Sequence, residues 1–148
     1  MPYEHRIRRR VEFSETDMAG IVHYSNFFRY MEAAEHEFFR TLGFSVVTRQ
    51  VDPPVGWPRV RAECDYKAPL RFEDEFEVHM LVTEKKSKSL SYQFRIRKLG
   101  AEAIEVARGS LTVVCVTHQG GTMKAVAIPG EISNKIQVAS REALDSGF

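Results

Sequence analysis

The chain has 148 residues, of which 43% are hydrophobic and 28% charged, and its formal net charge is only +1. That length buries roughly 70% of the unfolded surface, so residues 1–148 are expected to form a single domain, and the near-neutral balance implies no nucleic-acid partner recruited by bulk charge. The start, Met1-Pro2-Tyr3-Glu4-His5-Arg6, lacks the apolar stretch of a signal peptide, and no apolar run approaches the length of a membrane span, so a cytoplasmic protein is expected.

A first strand is expected over residues 4–13. The stretch that follows, from Phe13 to Phe28, is the most informative in the chain. It holds one acid, Asp17, in a turn that ends at Gly20, then an apolar pair, Ile21-Val22, and then a helix start. A helix is expected over 24–42, because Phe27, Phe28, Met31, Ala34, Phe38, Phe39 and Leu42 recur at three- and four-residue steps. Glu32, Glu35, Glu37 and Arg40 flank that stripe as a polar face, and Gly43 is a natural stop. A carboxylate just before a helix lies near peptide N–H groups that have no intrahelical partner. Those donors carry partial positive charge and stabilise a developing oxyanion. An acid beside oxyanion donors is a minimal kit for attacking a carbonyl.

Residues 50–58 are loop-rich, with Pro53, Pro54, Gly56 and Pro58. The period then changes to two. Val60, Ala62, Cys64 and Tyr66 alternate with polar residues, as do Phe76, Val78, Met80 and Val82, and then Leu90, Tyr92, Phe94 and Ile96. These patterns predict half-buried antiparallel strands with one polar face. A further strand over 103–117 is apolar on both faces near Leu111 and Val116, which predicts a central position, with a bulge near Ala107-Arg108-Gly109. Cys64 and Cys115 are expected as reduced core residues, since two cysteines make neither a disulfide framework nor a structural zinc site. Pro129 can open a short helix. One greasy helix and one sheet with a greasy face give an α+β fold, a curved antiparallel sheet wrapped around a long central helix.

Four segments in this order resemble a known family. They are Thr16-Asp17-Met18-Ala19-Gly20-Ile21-Val22-His23-Tyr24-Ser25-Asn26-Phe27 with Glu32-Ala33, then Tyr66-Lys67-Ala68-Pro69-Leu70 with Asp74, then Lys88-Ser89-Leu90, and last Val113-Val114-Cys115-Val116 with Met123-Lys124 and Ile128-Pro129. Together they resemble the hotdog-fold acyl-CoA thioesterases of the 4-hydroxybenzoyl-CoA thioesterase and YbgC type. The order His23-Tyr24 fits the aromatic-tyrosine pattern of the 4-hydroxybenzoyl type rather than the tyrosine-histidine of many YbgC-type members.

The resemblance implies a hotdog fold, an active site between two subunits of a homodimer or homotetramer, and an acyl-CoA substrate threaded between them. It gives Asp17 the role of nucleophile or general base and gives the Tyr24 backbone N–H the role of polarising the thioester carbonyl. It places coenzyme A phosphates near Lys85, Lys86, Lys88 and Ser89, which otherwise read as a solvated hairpin turn. No metal and no cofactor are implied, coenzyme A being part of the substrate. An acyl carrier protein is a further possible partner. The rival readings are a hotdog acyl dehydratase, which needs a histidine working with an acid, and a non-catalytic protein that binds acyl-CoA or acyl carrier protein. No Gly-x-Ser-x-Gly elbow, His-Glu-x-x-His run or phosphate-binding glycine loop is present in the sequence.

Overall fold

A computed structural model describes residues 2–146. Strand β1 (Glu4–Arg10) is followed by a single 3-10 turn (Phe13–Glu15) and by helix α1 (Asn26–Thr41). Then come β2 (Arg59–Tyr66), β3 (Glu75–Lys85), β4 (Ser89–Lys98) and β5 (Ile104–Val114). A small hairpin, β6 (Val116–Gln119) and β7 (Thr122–Ala125), and two short helices, α2 (Gly130–Ser133) and α3 (Arg141–Asp145), complete the order. The large sheet runs β1-β3-β4-β5-β2, and every neighbouring pair is antiparallel.

Helix α1 forms where its apolar stripe predicts. Phe27, Tyr30, Met31, Ala34, Phe38 and Phe39 are all buried against the sheet. The helix ends in a Schellman turn: Phe44 N–H donates to the Phe39 carbonyl and Gly43 N–H to the Arg40 carbonyl, each at 3.0 Å. Gly43 takes the left-handed φ of +92° that this motif requires. The core-facing sides of β3 and β4 are the predicted Phe76, Val78, Met80, Val82 and Leu90, Tyr92, Phe94, Ile96, all fully buried. Helix and sheet approach closely at Gly109 of β5, where a Cβ would overlap the Met31 Cε. Fully burying one such aliphatic side chain stabilises the fold by about 1.5–3 kcal/mol, so the contiguous core dominates the favourable terms.

Four expectations need correction. Strand β2 is not half-buried: every residue from Arg59 to Tyr66 except Cys64 is exposed. It is an edge strand, and α1 packs chiefly over β1 and β3. Glu35 is not on a polar helix face. It is fully buried, and Arg59 grips its two oxygens at 3.1 and 2.5 Å, fastening α1 to the start of β2. Burial pushes the Glu35 carboxyl up, against the opposing pull of Arg59. The strand expected over 103–117 divides at Cys115, and β6 turns back through Gly120-Gly121 into β7. Both glycines have positive φ, +60° and +78°, as a two-residue type I′ turn demands. The β4–β5 register shifts beside Val106, close to the predicted bulge.

The outer sheet face is also less open than its alternating charges suggest. The C-terminal segment crosses it, with Ala139 N–H donating to the Val82 carbonyl at 2.8 Å. Arg95, only 2% exposed, donates to the carbonyls of Ser146 and Leu144 at the end of α3. Pro129 precedes α2 as expected, its carbonyl accepting from Ile132 and Ser133, each at 2.9 Å.

Candidate active site

The chain between the 3-10 turn and α1 doubles back on itself. Thr16 pairs with Val22, Asp17 N–H donates to the Ile21 carbonyl at 2.9 Å, and Gly20 N–H donates to the Asp17 carbonyl at 2.9 Å. Gly20 supplies the positive φ, +81°, that closes such a loop. Asp17 sits at the base of the loop and is exposed. Its Oδ1 accepts the Ala19 N–H at 2.9 Å, which fixes the carboxylate while Oδ2 makes no hydrogen bond among the described residues.

Tyr24 lies two residues before the helix. Ser25 N–H donates to His23 Nδ1 and Asn26 N–H to the His23 carbonyl. The Tyr24 N–H between them has no hydrogen-bond partner among the described residues. Such an amide, at the positive end of a helix, is free to receive an oxygen.

The tyrosine-x-x-proline segment meets this loop. Val22 N–H donates to the Leu70 carbonyl at 2.8 Å, and the Tyr66 hydroxyl donates to the Tyr24 carbonyl at 3.1 Å. Two stretches far apart in sequence are thereby joined around one cleft of about 570 Å³. Asp17, Ile21, Tyr24, Phe27, Tyr66 and Arg71 are among the residues lining it. The walls are largely apolar, so charges there are less screened than in open water. A second groove of about 390 Å³, lined by Arg6, Arg8, Arg9 and Arg40, lies between β1 and α1 but contains neither motif.

Lys85, Lys86, Lys88 and Ser89 are elsewhere. Asp17 lies near the Glu75 end of β3, since Val11 N–H donates to the Asp74 carbonyl there. The lysines lie at the other end of that eleven-residue strand, on the order of 30 Å away at about 3.3 Å per residue. Lys85 is not a solvated cation: its Nζ donates to the carbonyls of Ser133 and Ile136 at 2.9 and 2.8 Å, closing the end of α2. Lys86 lies 3.2 Å from Glu84. Lys88 is exposed and makes no ion pair among the described residues, and Ser89, half-buried, opens β4.

Sequence reasoning missed Arg71, which sits just beyond the tyrosine-x-x-proline match. Arg71 is exposed and lines the cleft, and its backbone N–H donates to Asp74 Oδ2 at 2.8 Å. The Tyr66 hydroxyl was likewise unmarked, although the motif that contains it was recognised. Among the described residues no group of three His, Cys, Asp or Glu is arranged to hold a metal, and no helix is long and apolar enough to cross a membrane.

Residues 11–136 match the model of the thioesterase-like superfamily. The chain belongs to that superfamily. It is a thioester hydrolase by that membership. A hypothetical protein of solved structure from Aquifex aeolicus shares 37% identity at a TM-score of 0.79, over 89% of this chain and 98% of that one. An acyl-CoA thioesterase YbgC from Haemophilus influenzae is 26% identical over 83% of this chain and 87% of its own length. A 4-hydroxybenzoyl-CoA thioesterase variant, solved in complex with 4-hydroxybenzoyl-CoA, superposes at a TM-score of 0.84 with 21% identity, over 92% of this chain and all of that one. That likeness is one of fold, and the hotdog architecture expected from the sequence stands.

Proposed function

We propose that the protein is a cytoplasmic acyl-CoA thioesterase that releases a carboxylate and free coenzyme A. The observation that carries this reading is that Asp17 and Tyr24 line one cleft, and that among the described residues the Asp17 Oδ2 and the Tyr24 N–H are both without a hydrogen-bond partner. The thioester carbonyl oxygen takes the Tyr24 N–H, which polarises the carbon. Asp17 Oδ2 then either attacks that carbon or removes a proton from an attacking water. In the first route the C–S bond breaks as a mixed anhydride forms, and water later cleaves the anhydride. In the second, water adds directly and the thiolate departs. A thiol of pKa about 8.5 leaves as thiolate at neutral pH without a strong acid beside it. One carboxylate and one amide therefore suffice, and neither route requires a metal.

The reading includes a homo-oligomer, dimer or tetramer, whose basic unit is a homodimer built across β2. Tyr66 lies at the Asp17 end of β2, while Arg59 pairs with Val113 at the end that adjoins Leu90. Antiparallel pairing of two β2 edges about a two-fold axis brings the Tyr66 end of one subunit beside the Arg59 end of its partner. Asp17 and Tyr24 then face Lys86 and Lys88 of the partner subunit, and these take coenzyme A phosphates or the same arm on acyl carrier protein, Lys86 exchanging its Glu84 contact for the phosphate. Lys85, whose Nζ is held by two carbonyls, is left out of that role in this reading. Arg71, on the cleft wall, supplies a further cation for an anionic part of the substrate. The free thiols of Cys64 and Cys115 suit a reducing compartment.

Thiol release over a panel of aromatic and aliphatic acyl-CoA esters tests the reading. Asp17→Asn keeps the Oδ1 acceptor and the turn but loses the charge, so kcat is expected to fall at least about 10²-fold, the lower range for a general base. Melting temperature and binding of a non-hydrolysable acyl-CoA analogue should change little. Near-normal turnover in a folded Asp17→Asn variant would remove the proposed centre. Saturable binding with no thiol release would leave a binding protein, and hydration of an enoyl-CoA would make it a dehydratase.

A further inference from the structure

Ser25 stands directly before α1, where a serine hydroxyl ordinarily accepts a first-turn N–H. It makes no such bond here, and its Oγ lies instead 2.8 Å from His23 Nδ1. The Ser25 N–H donates to that same ring nitrogen at 3.3 Å, and the Asn26 N–H donates to the His23 carbonyl at 2.9 Å. His23 therefore caps the helix start twice, through its ring and through its backbone, and passes over the Tyr24 amide between the two. A ring nitrogen that accepts an amide proton carries none itself, so the network assigns the imidazole proton to Nε2. The His23 ring also lies along the Tyr24 ring, with centroids 4.5 Å apart and planes at 30°.

Tyr66 acts from the opposite side. Its hydroxyl donates to the Tyr24 carbonyl at 3.1 Å, and its ring meets Phe27 edge-on at 5.2 Å. Burial, and then the neighbouring Cys64, push this phenol up to about 12, so it stays a donor throughout the neutral range.

We propose that His23 and Tyr66 are positioning residues that fix the Tyr24 peptide so that its N–H stays unpaired and points into the cleft. The inference deepens the reading of Tyr24 given above and rests on it. Neither side chain has to touch the reacting atoms. A donor held in place before substrate arrives needs no rearrangement when charge develops on the oxygen, which is the source of oxyanion stabilisation. Without the His23 ring, the Ser25 amide loses its acceptor and the turn can settle differently. Without the Tyr66 hydroxyl, the Tyr24 carbonyl loses its outer anchor.

The test compares His23→Phe, His23→Asn and Tyr66→Phe in the intact oligomer. Phenylalanine keeps a ring beside Tyr24 but offers no acceptor, whereas the asparagine Oδ1 can accept the Ser25 N–H as it does in ordinary caps. His23→Phe should lower kcat about 10-fold, a fraction of the 10²–10³ lost when an oxyanion donor is removed outright. KM should stay within about twofold, because the contact matters mainly in the transition state. His23→Asn should regain most of the turnover, and Tyr66→Phe should lose about threefold on the same reasoning. Equal kcat in His23→Phe and the wild type overturns the proposal, as does an equal loss in His23→Phe and His23→Asn. If the wild type hydrolyses no thioester, the functional reading fails by itself. Amide exchange followed by NMR then decides the positioning claim: Ser25 should exchange faster in His23→Phe and stay protected in His23→Asn, and unchanged exchange in His23→Phe overturns it.

Discussion

β1 and β2 are the two edge strands of one sheet, yet β1 carries Arg6, Arg8, Arg9 and Arg10 within seven residues while β2 leaves Val60 and Tyr66 62% and 46% exposed. Two of the β1 arginines are tied back to the neighbouring strand, Arg6 to Glu77 at 2.9 Å and Arg10 to Glu75 at 2.7 Å. Charged side chains on a free edge discourage a second chain from pairing there. On β2 the charges alternate with apolar residues, and Arg61 and Glu63 engage each other along the same strand. The two edges show how an open sheet can be closed to pairing on one side and left open on the other. The open side also adjoins the cleft through Tyr66.

The largest effect should come from closing the open edge. Lysines at Val60 and Ala62 put like charges on both sides of a β2–β2 seam, where desolvation and repulsion oppose pairing. The Val60→Lys, Ala62→Lys double variant should sediment as a folded monomer and lose at least about 10²-fold in turnover, as for loss of a catalytic group. Arg8→Ala on the closed edge should leave assembly and activity intact. A fully active monomer in sedimentation at assay concentrations would defeat the shared site.

A smaller effect sharpens the same point. Lys86→Ala with Lys88→Ala should raise KM for coenzyme A esters several-fold, roughly as expected for contacts that are alike in ground and transition states, and spare kcat. The effect should shrink as salt rises, because exposed charges are screened beyond about 10 Å at 0.1 M. If those lysines serve the partner's cleft, exchanging subunits between this variant and Asp17→Asn should produce mixed dimers with one intact site. Activity at low substrate should then exceed that of either parent. A mixture that never exceeds its parents would place the lysines outside the partner's cleft.

The sequence carried much of this architecture because a two-residue or a 3.6-residue period reports directly which side chains face the core. That is why β3, β4 and the α1 stripe appear at their expected positions. Period alone does not say what lies beside a strand, so exposed β2 looked like buried β4. Glu35 lies at a core step of α1 but carries a polar side chain, and only Arg59, from a distant segment, makes its burial tolerable. Gly120-Gly121 is itself a legible hairpin signal. The cleft was legible where residues act through local turns, as at Asp17 and Tyr24. It was illegible where long side chains decide. Lys85 reaches the Ser133 and Ile136 carbonyls rather than solvent, Arg71 lies just beyond a motif, and the His23 ring, although inside one, acts through contacts the motif does not reveal.

The smallest prediction concerns how the closed edge is held. His79 of β3 is only 4% exposed, and its Nε2 lies 3.0 Å from Glu4 Oε2 on β1. Burial lowers its pKa first, Arg6 and Arg97 lower it further, and Glu4 opposes them without prevailing. A histidine depressed in the folded state binds its proton more readily when unfolded, so acid favours unfolding. Its contribution is fully present above the ordinary histidine value near 6.5 and is lost as pH falls through the lowered folded value. The melting temperature of the wild type should therefore drop on going from about pH 7 to about pH 5, and His79→Gln, which cannot titrate, should drop less. The two-strand contrast adds a control: no histidine lies on β2, so the monomeric β2 variant should keep the wild-type acid slope. An identical slope in His79→Gln and the wild type would show that the β1–β3 pairing does not depend on this proton.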